Sequence, residues 1–276
     1  MLKVGNIIPL FLKKINNYSN EETTSIAYIV IQEILGFNKI HVILNSDNII
    51  SLNHENKINL IINNLKLDKP IQYILGKANF FNLSFFVNKY VLIPRPETEE
   101  LINWILENKF NKVLEIGTGS GCISISLAKN SSANISAIDI SSNAIKIARK
   151  NADNYKLDIN FLCEDVFSFK TDEKYDLIVS NPPYVLESEK KKMHNNVLNF
   201  EPHNALFVKD TDPLLFYNFI SVFASQHLNS NGFLFFEINE MFENEIILIL
   251  KRNNFVNIEL KKDLNGKDRM IKANKK

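Results

Sequence analysis

Two cysteines in 276 residues, Cys122 and Cys163, are too few for a disulfide framework and make no zinc site by themselves. That scarcity points to a reducing, cytoplasmic compartment. No apolar run approaches the roughly 18 residues that span a bilayer. The longest, such as Ile246 to Leu250, is core-sized. The stretch Met1-Leu2-Lys3-Val4-Gly5-Asn6 lacks the apolar core and cleavage site of a signal peptide, and no arginine precedes Arg95, which argues against an organellar presequence. Excess charge is missing too: a net +1 excludes a strongly basic nucleic-acid binder or an acidic tail as the whole protein. His41, His54, His194, His203 and His227 show no paired ligand spacing, so no metal is expected. What is present is the balance of a soluble globular protein, 45% hydrophobic and 23% charged, with length enough for two domains.

The hydrophobic period changes along the chain. Thr24 to Leu35 spaces Ile26, Ile29, Val30 and Ile34 as a helix does, with Gly36 just past its end. His54 to Leu65 repeats the pattern through Ile58, Ile61, Ile62 and Leu65. Seven lysines face six acids up to Pro70, so this helical region, residues 1–75, has no basic face and suits protein recognition. Residues 76–93, dense in Phe, Leu and Val with Asn82 and Asn88 at turns, read as a β-hairpin linker. Pro94 to Glu100 is a stiff turn into a helix, since proline and early glutamates suit a helix start. From Lys112 on, seven short apolar strands are predicted, at 112–116, 135–140, 159–163, 175–180, 233–238, 256–260 and 269–273, with helices between most of them. Residues 94–276 are therefore an α/β domain: a doubly wound, mostly parallel seven-stranded sheet. Its last two strands have no intervening helix and would pair antiparallel.

Three motifs sit at strand ends. Glu115-Ile116-Gly117-Thr118-Gly119-Ser120-Gly121 closes the first strand, where glycines let backbone approach a ligand. Its G-x-G-x-G spacing departs from the dinucleotide G-x-G-x-x-G, and a glycine-rich turn also occurs without any ligand. Asp139 ends the second strand, 18 residues after Gly121, where an acid accepts hydrogen bonds from ribose hydroxyls. Alone it reads as a cap or loop acid; together the two motifs indicate an adenosine-type cofactor. The third is Asn181-Pro182-Pro183-Tyr184, after strand 175–180. The prolines restrain the backbone after Asn181. The Asn181 oxygen and the Pro182 carbonyl can both accept from one planar NH2 group, and Tyr184 can stack on its face. The acceptor is thus an amide or an aromatic amine.

With these motifs the chain resembles the class I S-adenosylmethionine-dependent methyltransferases. More closely it resembles the HemK/PrmC family of peptide chain release factor glutamine N5-methyltransferases. The likeness includes Pro70-Ile71-Gln72-Tyr73-Ile74-Leu75-Gly76, Leu92-Ile93-Pro94-Arg95-Pro96-Glu97-Thr98-Glu99, Glu201-Pro202, and Lys262-Asp263-Leu264 with Gly266 and Asp268-Arg269. It departs at Phe207-Val208-Lys209-Asp210, where a glycine pair is usual, and at Asn239, where a glycine is usual. The resemblance implies S-adenosyl-L-methionine as cofactor, with S-adenosyl-L-homocysteine as product. It implies cofactor contacts at Gly117, Thr118, Gly119, Ser120, Gly121, Asp139, Phe167 and Asn181. It makes Asn181, Pro182 and Tyr184 catalytic, and Asn181, Pro182, Pro183 and Tyr184 the acceptor site, with the loop from Val185 to Asp210 closing over it. The implied partner is a class 1 release factor, methylated on its Gly-Gly-Gln loop, with no membrane and no direct nucleic-acid contact. An adenine-N6 methyltransferase on DNA or RNA shares the acceptor chemistry, but near-neutral charge speaks against phosphate binding. A non-catalytic adaptor on the same fold would not need all three motifs intact. Lys190-Lys191-Lys192 and the basic residues 261–276 read as solvated surface.

Overall fold

In the computed structural model, which describes residues 1–276, five helices precede any strand: α1 (Ile7–Lys14), α2 (Asn20–Leu35), α3 (Lys39–Leu44), α4 (Leu52–Leu65) and α5 (Ile71–Leu75). Then follow β1 (Lys77–Phe80), β2 (Leu83–Phe86), α6 (Pro96–Leu106), β3 (Lys112–Ile116), α7 (Cys122–Asn130), β4 (Asn134–Asp139), α8 (Ser142–Tyr155), β5 (Asn160–Cys163) and β6 (Tyr175–Ser180). The remainder is β7 (Val185–Leu186), α9 (Asn195–Phe200), β8 (Phe207–Val208), α10 (Leu215–His227), β9 (Leu228–Glu237), α11 (Glu243–Arg252), β10 (Phe255–Lys262) and β11 (Asp268–Lys275). The chain packs as two units. One comprises Met1–Leu75 and His194–Phe200; the other comprises Gly76–Met193 and Glu201–Lys276.

In the first unit, serines start the long helices. Ser19 Oγ accepts from the Glu22 N–H at 3.1 Å to open α2, and Ser51 Oγ accepts from the His54 N–H at 3.2 Å to open α4. Gly36, at φ 71°, ends α2 in the left-handed conformation that glycine tolerates best. The apolar stripes then meet: Ile7, Phe11, Ala27, Val30, Ile31, Ile58, Ile62 and Leu65 are buried in one core.

The second unit is a seven-stranded sheet in the order β10-β11-β9-β6-β3-β4-β5. All neighbours pair in parallel except β11, which is antiparallel to both β9 and β10. Val113 to Ile116 of β3 are all buried, as expected of a central strand with helices on both faces. Strands β3 and β6 begin and end where the sequence predicts, whereas β9 starts at Leu228, five residues before the predicted Phe233. The short parallel pair β7–β8 was not anticipated. Trp104 on α6, the only tryptophan, meets Phe235 of β9 edge-on at 5.4 Å between ring centres.

The hairpin β1–β2 turns through Phe81 (φ 48°) and Asn82 (φ 58°), and the Phe81 N–H donates to Glu99 Oε1 at 2.9 Å. It is fastened to α8. Asn151, fully buried, accepts from the Phe86 N–H at 2.7 Å and donates to the Phe86 carbonyl at 3.0 Å. Tyr155 exchanges hydrogen bonds of 2.7 and 2.9 Å with the Ser84 backbone. The hairpin is therefore part of the second unit.

Register positions the functional residues. Ile138, Ile116, Ser180 and Phe236 stand in one row across β4, β3, β6 and β9. The next residues along, Asp139, Gly117, Asn181 and Glu237, thus emerge side by side at the carboxyl edge, where open α/β sheets bind ligands.

Candidate active site

A cavity of about 340 Å³ opens at that edge. Gly117, Thr118, Gly119, Ser120, Asp139, Phe167, Asn181, Pro182 and Pro183 all line it, so the three motifs converge on one space. Gly121 and Tyr184 do not line it.

The glycines divide into two kinds. Gly117 and Gly119 have φ of 79° and 55°, and a Cβ added at either would meet no atom within 4 Å. Their bare faces look into open space that a ligand's backbone-hugging groups can use. Gly121, at φ 80°, has no such room: a Cβ there would lie 3.0 Å from Ile125 Cδ1 and 3.2 Å from Ala148 Cβ. Gly121 thus serves helix packing. The loop is further braced from outside, because Asn151 Nδ2 donates to the Ser120 carbonyl at 2.9 Å.

Two acids hold the loop. Asp139 accepts from the Gly119 and Ser141 N–H groups, each at 2.8 Å and on a different oxygen. Each oxygen keeps a further lone pair, which fits a ribose diol. Burial pushes the Asp139 pKa up, against the pull of those two N–H donors. Glu115, buried at the end of β3, accepts from Thr118 Oγ1 at 2.7 Å and the Ser124 N–H at 3.0 Å. Burial pushes its pKa up to about 7. Glu115 opens the glycine-loop motif, which by itself assigns it no role. Cys122 also lines the cavity; desolvation raises its thiol to about 12, so it stays an uncharged wall residue.

Part of the cavity wall is apolar, beside Glu164 and Asp165: Phe167 meets Phe216 at 5.3 Å between ring centres, and Phe216, Ile220, Val166 and Ala144 also line the cavity. Phe216 and Ile220 were missed because they lie on α10, far along the chain from any motif.

A chain of hydrogen bonds runs back from Asn181. Asn181 Nδ2 donates to Thr98 Oγ1 across a long 3.4 Å. Thr98 Oγ1 donates to Glu237 Oε2 at 2.6 Å, and the Tyr184 hydroxyl donates to Glu237 Oε1 at 3.0 Å. Burial raises the Glu237 pKa, opposed by those two hydroxyls and by the Arg269 charge. Tyr184 packs against the sheet core, with the Arg269 guanidinium 5.8 Å from its ring centre. Its hydroxyl is thus engaged by Glu237, away from the cavity lining. Glu237 carries the same sequence signal as Asp139, an acid ending an apolar strand.

The remaining family segments explain themselves by contact. Arg95 pairs with buried Glu201 at 2.6 Å, and the same carboxylate accepts from the Ile93 N–H at 3.2 Å. Glu100 accepts from the Leu264 N–H at 3.0 Å, so Thr98, Glu99 and Glu100 each anchor a different element. At the departures, Asn239 has φ −78°, which needs no glycine. Its side chain donates to the Tyr184 carbonyl at 3.1 Å and accepts from the Met241 N–H at 3.0 Å. Val185–Leu186 pairs with Phe207–Val208, and Asp210 accepts from Ser188. The departing residues therefore pin the loop, which sends Asn204 and Ala205 to the cavity wall. Lys190 bonds Glu187 at 3.2 Å and lies over Phe207, 4.5 Å from its ring centre.

Comparison with known proteins agrees with this geometry. Residues 96–206 match the family described as Methyltransferase small domain. Among solved structures, a methyltransferase from Pyrococcus furiosus superposes with a TM-score of 0.56 at 15% identity, covering 81% of this chain and 98% of that one. A Thermus thermophilus 16S rRNA N2 G1207 methyltransferase, solved with AdoMet and guanosine, gives 0.52 at 16% identity over 72% of this chain and 50% of its own. These likenesses establish the fold. The sequence relatives are nearer. The release factor glutamine methyltransferase of Flavobacterium psychrophilum is 45% identical over 270 residues, 93% of each chain. That of Bacteroides thetaiotaomicron is 41% identical over 94% of this chain and 95% of its own. At such identity over nearly the full length of both relatives, the chain belongs to the family of release factor glutamine methyltransferases.

Proposed function

We propose that the protein methylates the side-chain amide nitrogen of the glutamine in the Gly-Gly-Gln motif of class 1 peptide chain release factors, with S-adenosyl-L-methionine as donor. One observation carries the reading: the glycine loop, Asp139 and the Asn181-Pro182-Pro183 segment line a single cavity. S-adenosylmethionine, when bound, supplies a methyl group already activated by its sulfonium. Asp139 would hold the ribose hydroxyls, Gly117 and Gly119 the groups that pass close to backbone, and Phe167 with Phe216 the adenine. This set fits the cofactor, since its carboxylate has lone pairs to spare and its glycines open into the cavity.

An amide nitrogen is a poor nucleophile because its lone pair is delocalised into the carbonyl. Asn181 Oδ1 and the Pro182 carbonyl would accept both of its N–H bonds and favour a tetrahedral nitrogen. The same two oxygens stabilise the positive charge that develops there, a preorganised term worth about 10²–10³ per contact. Holding the nitrogen in line adds the proximity advantage. No general base is evident beside Asn181, and the proton leaves to water. An adenine amino group could occupy the same clamp, but the names of the relatives and the near-neutral charge favour glutamine. The first unit, residues 1–75 with 194–200, is the candidate for recognising the release factor. Incubation with labelled S-adenosylmethionine and purified release factor, followed by mass spectrometry of the Gly-Gly-Gln peptide, tests the proposal. Label on any other residue, or none, refutes it.

A further inference from the structure

An asparagine that must present an oxygen has an NH2 of equal size that would do the opposite. What decides the orientation lies behind it. Thr98 Oγ1 has a single proton, and that proton is engaged 2.6 Å from Glu237 Oε2. With Oε2 accepting, Glu237 gives Thr98 no proton in return. Thr98 therefore offers Asn181 only lone pairs, and the NH2 end answers them at 3.4 Å. The reversed amide would set Asn181 Oδ1 against those lone pairs. Glu237 in turn is held on its other oxygen by the Tyr184 hydroxyl at 3.0 Å. Tyr184 lies under Arg269, which donates to Asp263 at 3.3 Å and to the Ile238 carbonyl at 3.1 Å. Thr98 and Glu237 are both almost fully buried, at 2% and 1% exposure, which limits competition from water even though Thr98 borders the cavity.

We propose that Thr98 and Glu237 are positioning residues that fix the flip of the Asn181 amide, drawing its NH2 inward so that Oδ1 faces the acceptor. This rests on the reading of Asn181 as the acceptor clamp, and it gives the C-terminal Asp263–Arg269 segment a function: it anchors the back of the relay. The relay also predicts a preference for asparagine over aspartate at 181. An aspartate there would bring a second carboxylate to a hydroxyl whose only proton is taken.

The test uses the full chain with Thr98→Val, Thr98→Ser and Glu237→Gln. Thr98→Val keeps shape and removes the hydroxyl. Its kcat on release factor should fall roughly tenfold or more, the loss of one orienting hydrogen bond, while KM and S-adenosylmethionine affinity stay within about twofold. Thr98→Ser should recover most of the rate. Glu237→Gln can still offer Thr98 an oxygen while its NH2 donates to the Tyr184 hydroxyl, so it should lose less than Thr98→Val, and the double variant should lose little more than Thr98→Val alone. Side-chain amide NMR gives a readout independent of substrate: the Asn181 NH2 resonances should be separated and slow to exchange in the parent, and shifted and faster in Thr98→Val. Parent-like kcat in Thr98→Val, or unchanged Asn181 amide resonances, overturns the relay. A parent that fails to methylate any Gly-Gly-Gln loop instead refutes the proposed function, and the amide resonances still decide the relay.

Discussion

Asp139 separates binding from folding. Its two oxygens each accept one backbone N–H at 2.8 Å and keep lone pairs for a ligand. On the proposed ribose assignment, Asp139→Ala removes the acceptors for two hydroxyls. Hydrogen bonds to a charged group are worth about 1.5–3 kcal/mol each, so S-adenosylmethionine affinity should fall by roughly 10²–10⁴. The fold should not suffer equally. Burial raises the Asp139 pKa, so the ionised form is disfavoured in the folded chain, and removing it relieves that cost at neutral pH. The Gly119 N–H that loses its partner borders an open cavity, where water can replace the carboxylate. Titration calorimetry measures the affinity, and urea denaturation measures the fold. A folded variant that binds within about threefold of the parent refutes the ribose assignment. So does a variant whose lost binding tracks a lowered urea midpoint, because Asp139 would then be only a loop staple.

Asn181→Ala should cut turnover by roughly 10²–10³ with S-adenosylmethionine affinity retained, as read by single-turnover methylation and calorimetry. Asn181→Asp keeps an acceptor oxygen, and on sequence grounds alone it should outperform Ala; the Thr98–Glu237 contact at 2.6 Å instead predicts a rate near that of Ala, and a parent-like rate would exclude any steering from behind. Glu115, with its pKa raised by burial from 4.5 to about 7, holds a proton that the unfolded chain has released. The fold should therefore lose up to roughly 3 kcal/mol as pH rises through that interval, and Glu115→Gln should flatten urea stability between those pH values. Gly121→Ala forces a Cβ to within 3.0 Å of Ile125 and should destabilise by about 1–3 kcal/mol. Gly117→Ala has room but shares the left-handed backbone; it should cost about 1–2 kcal/mol and weaken S-adenosylmethionine binding far more than its stability loss suggests.

Much of the second unit was readable because buried parallel strands are short apolar runs with sharp ends. Strands β3 and β6 have that form, and their last residues lead into Gly117 and Asn181. The final antiparallel pair was equally plain, since the short segment between β10 and β11 leaves no room for a crossover helix. Some pairings and short elements had no local signal. Thr98 and Glu237 touch across 139 residues, and nothing near either one announces the other. The strands β7 and β8 are two residues each, too brief for any period to show. Residues 194–200 group with the first unit although they lie far along the chain from it. Prolines explained how the backbone after Asn181 is restrained but not what orients its amide, because that depends on which proton a distant hydroxyl has already given away. Tyr184 was assigned from its aromatic face, whereas its hydroxyl makes the bond that the structure records.

The lone tryptophan has a practical consequence. Trp104 belongs to the second unit, and no residue of the first unit carries an indole. Intrinsic fluorescence excited at long ultraviolet wavelengths therefore watches the sheet unit alone. Circular dichroism at helical wavelengths weighs both, since the first unit is built from helices. Denaturation curves from the two signals that coincide mean the units melt together. Curves that part let each unit's stability be read separately in the unmodified protein, with no label and no truncation.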